Sequence, residues 1–328
     1  MMVTHNQESG FTLIELSIVL VIIGLIVGGV LVGQDLIKAA QVRAQISQIE
    51  KYNTAVNTFL EKYDALPGDL NLTTANKYGF AARGNACGSS SCPGEGDGNG
   101  VIEGIAWGDT ACGFCTTAGE TVMIWSDLTY ANNMNLNMIE GNFSAGSITG
   151  WPNNAASAVT GSGIGLYLPQ AKIGNGNYIY VWSGGYTSGF PWTTLVAGGD
   201  GQNYFGIAAV TIFGGTQGNL AGGGYSMYTW AGAGMTVKQA YSMDAKIDDG
   251  LPQSGNVKAI FGCGASMMWA AGNNACSGPV NGVPPGTAAA PSATTCYDNA
   301  GNASNPMQYS LGQSGGNNVN CALSFRFQ

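Results

Sequence analysis

The chain has 328 residues, 45% of them hydrophobic and only 9% charged, so it can hold a membrane-length segment and a sizeable core beneath a polar but weakly charged surface. A formal net charge of −8, with eleven Lys and Arg scattered along the chain, excludes the clustered basic surface that nucleic acid requires. The single histidine is His5. A chain shorn of its first ten residues is therefore barred from Ser-His and Cys-His catalysis and from His-ligated zinc, and a non-enzymatic role is expected.

Residues 1–10 are polar and end in Gly10. They are followed by "FTLIELSIVLVIIGLIVGGVLVG", an apolar run from Phe11 to Gly33 whose length as a helix is roughly 35 Å, enough to cross a bilayer. Glu15 is the only ionisable side chain between Glu8 and Asp35, and a carboxylate in lipid is costly. From Gln34 onward Val42, Ile46, Ile49, Tyr52, Val56, Phe59 and Tyr63 recur at spacings of three and four, which predicts an amphipathic continuation of the same helix. Pro67 stops it, so one helix is expected over 11–64.

From Gly68 to Gly150 the chain is rich in Gly, Asn and Cys and reads as loops, with one short helical stretch over 120–134. Apolar, β-prone runs follow at 177–182, 204–213, 257–262 and 322–327, most of them bounded by Gly-rich turns, and they read as antiparallel strands. "NGVPPGTAAAPSATT" (281–295) is expected to be a surface loop. The fold class is thus α+β: a long N-terminal helix with an apolar first half, packed on a Gly-rich, mostly antiparallel β head with disulfide-stapled loops.

One stretch offers hard oxygen ligands at alternate positions. In "EGDGNGVIE", Glu95, Asp97, Asn99, the Val101 carbonyl and Glu103 fall at the first, third, fifth, seventh and ninth places of an EF-hand-type calcium loop, with Gly100 at the turn. Ala106 stands where the bidentate glutamate belongs, and a plain Gly/Asp/Asn turn would have the same composition. Calcium and an ion-free turn are both admitted. "DAKIDDG" (244–250) is a second cluster of aspartates.

The segment from Gly10 through "FTLIELSIVLVIIGLIVGG" resembles the class III signal of type IV prepilins and pseudopilins. In that family a membrane peptidase cuts after the glycine and methylates the new amine, which here implies processing between Gly10 and Phe11 and an assembly role for Phe11 and Glu15. "LPGD" (66–69), "GDGNG" (96–100) and "KIDDGLPQSG" (246–255) also look like segments of long prepilin-like proteins, and calcium-held loops occur among pseudopilins. The leader departs from the pattern in carrying no Lys or Arg.

The resemblance implies a leader over 1–10, a transmembrane or filament-core half-helix over 11–33, an amphipathic half over 34–64 and an extracytoplasmic head over 65–328. It implies an inner-membrane, single-pass precursor that becomes an extracellular or periplasmic filament. The expected partners are other pilin subunits, the prepilin peptidase/methylase and inner-membrane assembly machinery. A minor pilin or type II secretion pseudopilin, whose head binds a surface or a secreted substrate, is the alternative. In such an exported chain the eight cysteines read as disulfides, with local pairs Cys87–Cys92, Cys112–Cys115, Cys263–Cys276 and Cys296–Cys321 expected. "CGFC" at 112–115 also admits zinc or redox chemistry.

Overall fold

The structure is a computed structural model describing residues 12–80, 96–106, 110–112, 119–131, 134–143, 159–184, 200–213, 229–263, 266–270 and 285–327. The chain divides into two units, Met1–Gln41 and Val42–Gln328, and helix α1 (Leu13–Tyr63) contributes to both. Its bounds fall within two residues of those expected. Asp64 turns into the left-handed region (φ 56°) and ends it just ahead of Pro67.

In the first unit every Leu, Ile and Val from Leu13 to Ile37 is at least half exposed, up to 90% for Leu13. A helix apolar on all sides has no reason to exist in water, and this one is long and apolar enough to cross a membrane.

In the second unit the same helix becomes one-sided. Val42, Gln45, Ile49, Tyr52, Ala55, Val56, Phe59 and Tyr63 are buried, which is the predicted stripe with Gln45 and Ala55 added and Ile46 only half-buried at its edge. Burial of each large member contributes about 1.5–3 kcal/mol. Gln45 belongs there because its Oε1 accepts the Ile173 N–H at 3.0 Å. One turn on, Gln48 Oε1 accepts the Lys172 N–H at 3.0 Å, so two helix amides clamp one loop of the head.

The stripe's aromatic rings meet α3 (Glu120–Thr129) and the sheet: Tyr52 lies 5.4 Å from Trp125 and 6.0 Å from Phe205. Every residue of α3 is buried. It ends at Thr129, earlier than expected, because Tyr130–Ala131 turns back to pair with Met134–Asn135.

A six-stranded antiparallel sheet is organised around β3 (Asn203–Phe213). The first part of β3 pairs with β2 (Asn177–Ser183) on one edge and β6 (Leu323–Arg326) on the other. Its far end pairs with β1 (Val159–Thr160) and β4 (Thr229–Gly232), and β5 (Val257–Lys258) extends the sheet beyond β6. Residues 177–182 and 204–213 thus form strands as expected, and the run 322–327 does so over Leu323–Arg326. The run 257–262 divides at Ala259: its N–H goes to the Pro252 carbonyl, and Ile260–Cys263 forms a separate ribbon with Ser266–Trp269.

Among the described residues, two α-helices were not anticipated, although both are signalled. α2 (Leu72–Tyr78) has Asn71 as N-cap, accepting the Thr74 N–H, and left-handed Gly79 at its end. α4 (Val237–Ile247) opens on a capping box in which Thr236 and Gln239 bond reciprocally. The 68–150 stretch is accordingly more regular than its composition suggests. The Cys296–Cys321 disulfide is formed, and both residues are buried. By loop closure it contributes on the order of 3 kcal/mol. Cys87, Cys92, Cys115 and Cys276, and the side chains of Cys112 and Cys263, lie outside the described residues.

Asp244 on α4 is buried, accepting the Tyr309 O–H at 2.7 Å and the Gly250 N–H at 3.1 Å. Asp248 accepts from the Asn256 and Val257 N–H groups, and Asp249 from the Leu251 N–H and the Ser254 hydroxyl. The "DAKIDDG" aspartates thus build the corner leading from α4 to β5. Burial first, then the charges of Asp249 and Asp248, raise Asp244 to about 7, against the bonds from Tyr309 and Gly250.

Two predictions follow from this packing. A Cβ at Gly206 on β3 would stand 2.4 Å from the Tyr180 ring, whose hydroxyl accepts the Gly262 N–H at 2.6 Å. Gly206→Ala should therefore destabilise the head by about 1–3 kcal/mol in thermal or denaturant unfolding. The raised Asp244 means that the folded state holds a proton the unfolded chain has released, so its contribution to stability falls as pH rises from about 4 toward 7 and then levels. Asp244→Asn should lack that fall, so its melting temperature relative to wild type should rise between pH 5 and pH 8.

Candidate functional site

The N-terminal element starts with a reciprocal pair. Thr12 precedes the first helical residue; its Oγ1 accepts the Glu15 N–H at 3.3 Å, and Glu15 Oε2 accepts both the Thr12 N–H and the Thr12 hydroxyl at 2.8 Å. This is a capping box, T-x-x-E, at the head of an otherwise apolar helix. Glu15 stands on the first turn of the helix expected over 11–64, whereas Thr12 was not anticipated as its partner, although the T-x-x-E spacing signals it. Thr12 keeps its amide N–H whether or not the bond before Phe11 is cut, so the box is compatible with both precursor and processed chain. Gly10 and Phe11 lie outside the described residues.

The second site is a group of carboxylates in the head. Asp69 follows the turn that ends α1, and Glu120 opens α3, where a helix N-terminus favours negative charge. The 96–103 loop wraps around them. Asp69 accepts the Gly98 N–H at 2.7 Å and the Gly100 N–H at 2.8 Å; Glu120 accepts the Gly96 N–H at 2.7 Å and the Glu103 N–H at 2.8 Å. Carboxylate oxygens of Asp69, Asp97 and Glu120 lie within 4.8 Å of one another. Asn99 bridges to Glu103, donating at 3.1 Å to Asp97 and at 3.2 Å to Glu103. Asn203 secures the loop from the sheet, accepting the Ile102 N–H and donating to the Gly100 carbonyl.

The ligand set read along the loop is thus altered in space. Asp97 joins Asp69 and Glu120, which the linear spacing did not reveal, while Asn99 and Glu103 bond to each other beside them. Val101 gives its N–H to Asn99 Oδ1 at 2.7 Å, and Glu95 lies outside the described residues. Asp69 ends "LPGD", but nothing along the chain marked its carboxylate as a partner of the loop.

The electrostatics are one-sided. Asp69, Glu103 and Glu120 are at most 4% exposed. Burial is the main cause that raises Asp69 to about 6 and Glu103 to about 7, and it pushes Glu120 well above the carboxylate range. Among the described residues, the charged groups acting on all three are other carboxylates. Buried charge without a counter-charge must take up protons or a cation. A clustered set of carboxylate oxygens at the base of a Gly/Asn loop suits a hard divalent cation, calcium above all.

Residues 5–31 match the family model of the prokaryotic N-terminal methylation motif. The N-terminus is a type IV prepilin-type signal. The match spans the capping box and most of the apolar run, and it accounts for a membrane-length helix with a carboxylate near its start. Neither the curated proteins nor the solved structures yield a significant match to the chain.

A cation held by Asp69, Asp97 and Glu120 would stabilise the folded head by mass action. The melting temperature should rise by several degrees from chelator to millimolar calcium, and Asp69→Asn should abolish that difference. Equal melting in calcium and chelator would leave the loop as an ion-free turn.

Proposed function

We propose that the chain is a structural subunit of a type IV pilus-like filament, cut between Gly10 and Phe11, methylated at Phe11, and assembled through its N-terminal helix. The observation that carries this reading is the methylation motif over residues 5–31, joined to a helix whose apolar side chains are exposed along its first half. Packing those surfaces against copies of themselves removes them from both water and lipid. A subunit-on-subunit filament does this without any enzymatic chemistry, in keeping with the shortage of imidazole.

Glu15 then has two successive roles. In the single chain Thr12 holds its carboxylate in the capping box. Within a water-excluding helix bundle the remaining charge needs a cation, and the amine that cleavage creates at Phe11 of a neighbouring subunit is available. Such a pair sets the axial register of otherwise slippery apolar helices, as buried polar residues do in coiled coils. An unprocessed subunit carries its amine ten residues away and cannot form the pair.

Glu15→Gln separates the two roles, because glutamine at this position also completes a capping box but carries no charge. The variant should insert in the membrane and be cleaved normally, as read by intact mass, yet its filament yield should fall at least about tenfold. A mature mass that retains Met1 to Gly10 would overturn the processing assignment. Normal filaments from correctly processed Glu15→Gln would overturn the charge pair.

A further inference from the structure

Within the second unit a cleft of about 480 Å³ opens between α1 and the loops that precede β2. That volume lies in the roughly 300–1,000 Å³ range of small-molecule sites. The cleft is separate from the carboxylate group and shares no residue with it.

Its lining combines three kinds of group. Tyr52, Phe143 and Tyr178 supply aromatic rings, and Gln48, Asn142 and Gln170 supply amides. Two lysines face one carboxylate: Glu140 pairs with Lys51 at 2.9 Å and is also drawn down by Lys172. Cleft and flank therefore carry one carboxylate between two lysines, which suits neither a divalent cation nor a phosphate cluster.

One donor has no acceptor among the described residues. Tyr52 is 4% exposed, and its hydroxyl oxygen accepts from Gln48 Nε2 at 2.9 Å. Gln48 is otherwise committed, to the Gln170 carbonyl and the Lys172 N–H. No acceptor for the Tyr52 hydroxyl proton is present among the described residues. A buried O–H that lines a cleft without an acceptor calls for a ligand oxygen or a water.

We infer that this cleft binds a short neutral saccharide. A sugar ring presents hydroxyls that both donate and accept beside patches of apolar C–H, so it engages amides, a phenol donor and aromatic faces together. A purely apolar ligand would strand the amides, and with Lys51 already paired to Glu140 the cleft offers a strongly anionic ligand no cluster of cations. The inference does not rest on the filament reading, because every group it uses belongs to the head and the half-helix beyond Gln41.

The test uses the full-length protein in a sugar-free detergent, probed with cellobiose, lactose and maltose by saturation-transfer NMR. Tryptophan emission provides a second signal, since Tyr52 and Phe143 lie 5.4 and 6.3 Å from the Trp125 ring. At least one disaccharide should receive saturation at millimolar concentration and shift that emission. The double variant N142A/Q170A, changed at two exposed positions, should bind it at least about tenfold more weakly with an unchanged melting temperature and unchanged filament yield. No transfer to any of the three sugars, or equal binding by the double variant, overturns the inference. A drop in filament yield without sugar binding assigns the cleft to a neighbouring subunit instead and overturns it as well.

Discussion

Everything in this molecule turns on one helix that presents two different surfaces along its length. From Leu13 to Ile37 apolar side chains point in every direction, and a carboxylate stands at the start. From Val42 to Tyr63 only one stripe is buried, and the rest is polar. The first surface demands lipid or other copies of itself; the second demands a head to cover it. The head answers with Trp125, Phe205 and the loop held by Gln45 and Gln48.

The head is held by arrangements that need little charge. β3 gathers four neighbours along its two edges, and Gly206 admits the Tyr180 ring across it. Where loops are long, buried acceptors organise them: Asp69 and Glu120 gather the N–H groups of the 96–103 loop, and Asp244 and Asp248 do the same between α4 and β5. A chain with 52 glycines can approach carboxylates this closely through bare backbone. The cost is buried negative charge, which is why the carboxylate group around Asp69 suits a cation.

The long helix and the strands from 177, 204 and 322 were legible from hydrophobic pattern: three-and-four spacing in the first case, β-prone runs bounded by glycines at 177 and 204, and alternation of apolar with polar residues at 322. α4 was legible in principle, since Thr236 and Gln239 spell a capping box, but its few apolar positions hide the helical period. The carboxylate group was only half visible. Alternating oxygens within 95–103 drew attention to the loop, whereas Asp69 and Glu120 come from elements well separated along the chain, and only the tertiary fold brings them to it. The cleft beside Tyr52 was invisible for the same reason, its amides coming from α1 and two separate loops.

In the proposed filament an apolar helix surface and a single carboxylate together drive and register assembly. Cryo-electron microscopy of filaments formed by this chain tests it most directly. The account predicts a core of packed residues 11–37, with the Glu15 carboxylate within 4 Å of the Phe11 amine of an adjacent subunit, the distance of an ion pair. A filament in which Glu15 bonds only Thr12 of its own chain, or in which the apolar half-helices lie outside the core, would contradict it.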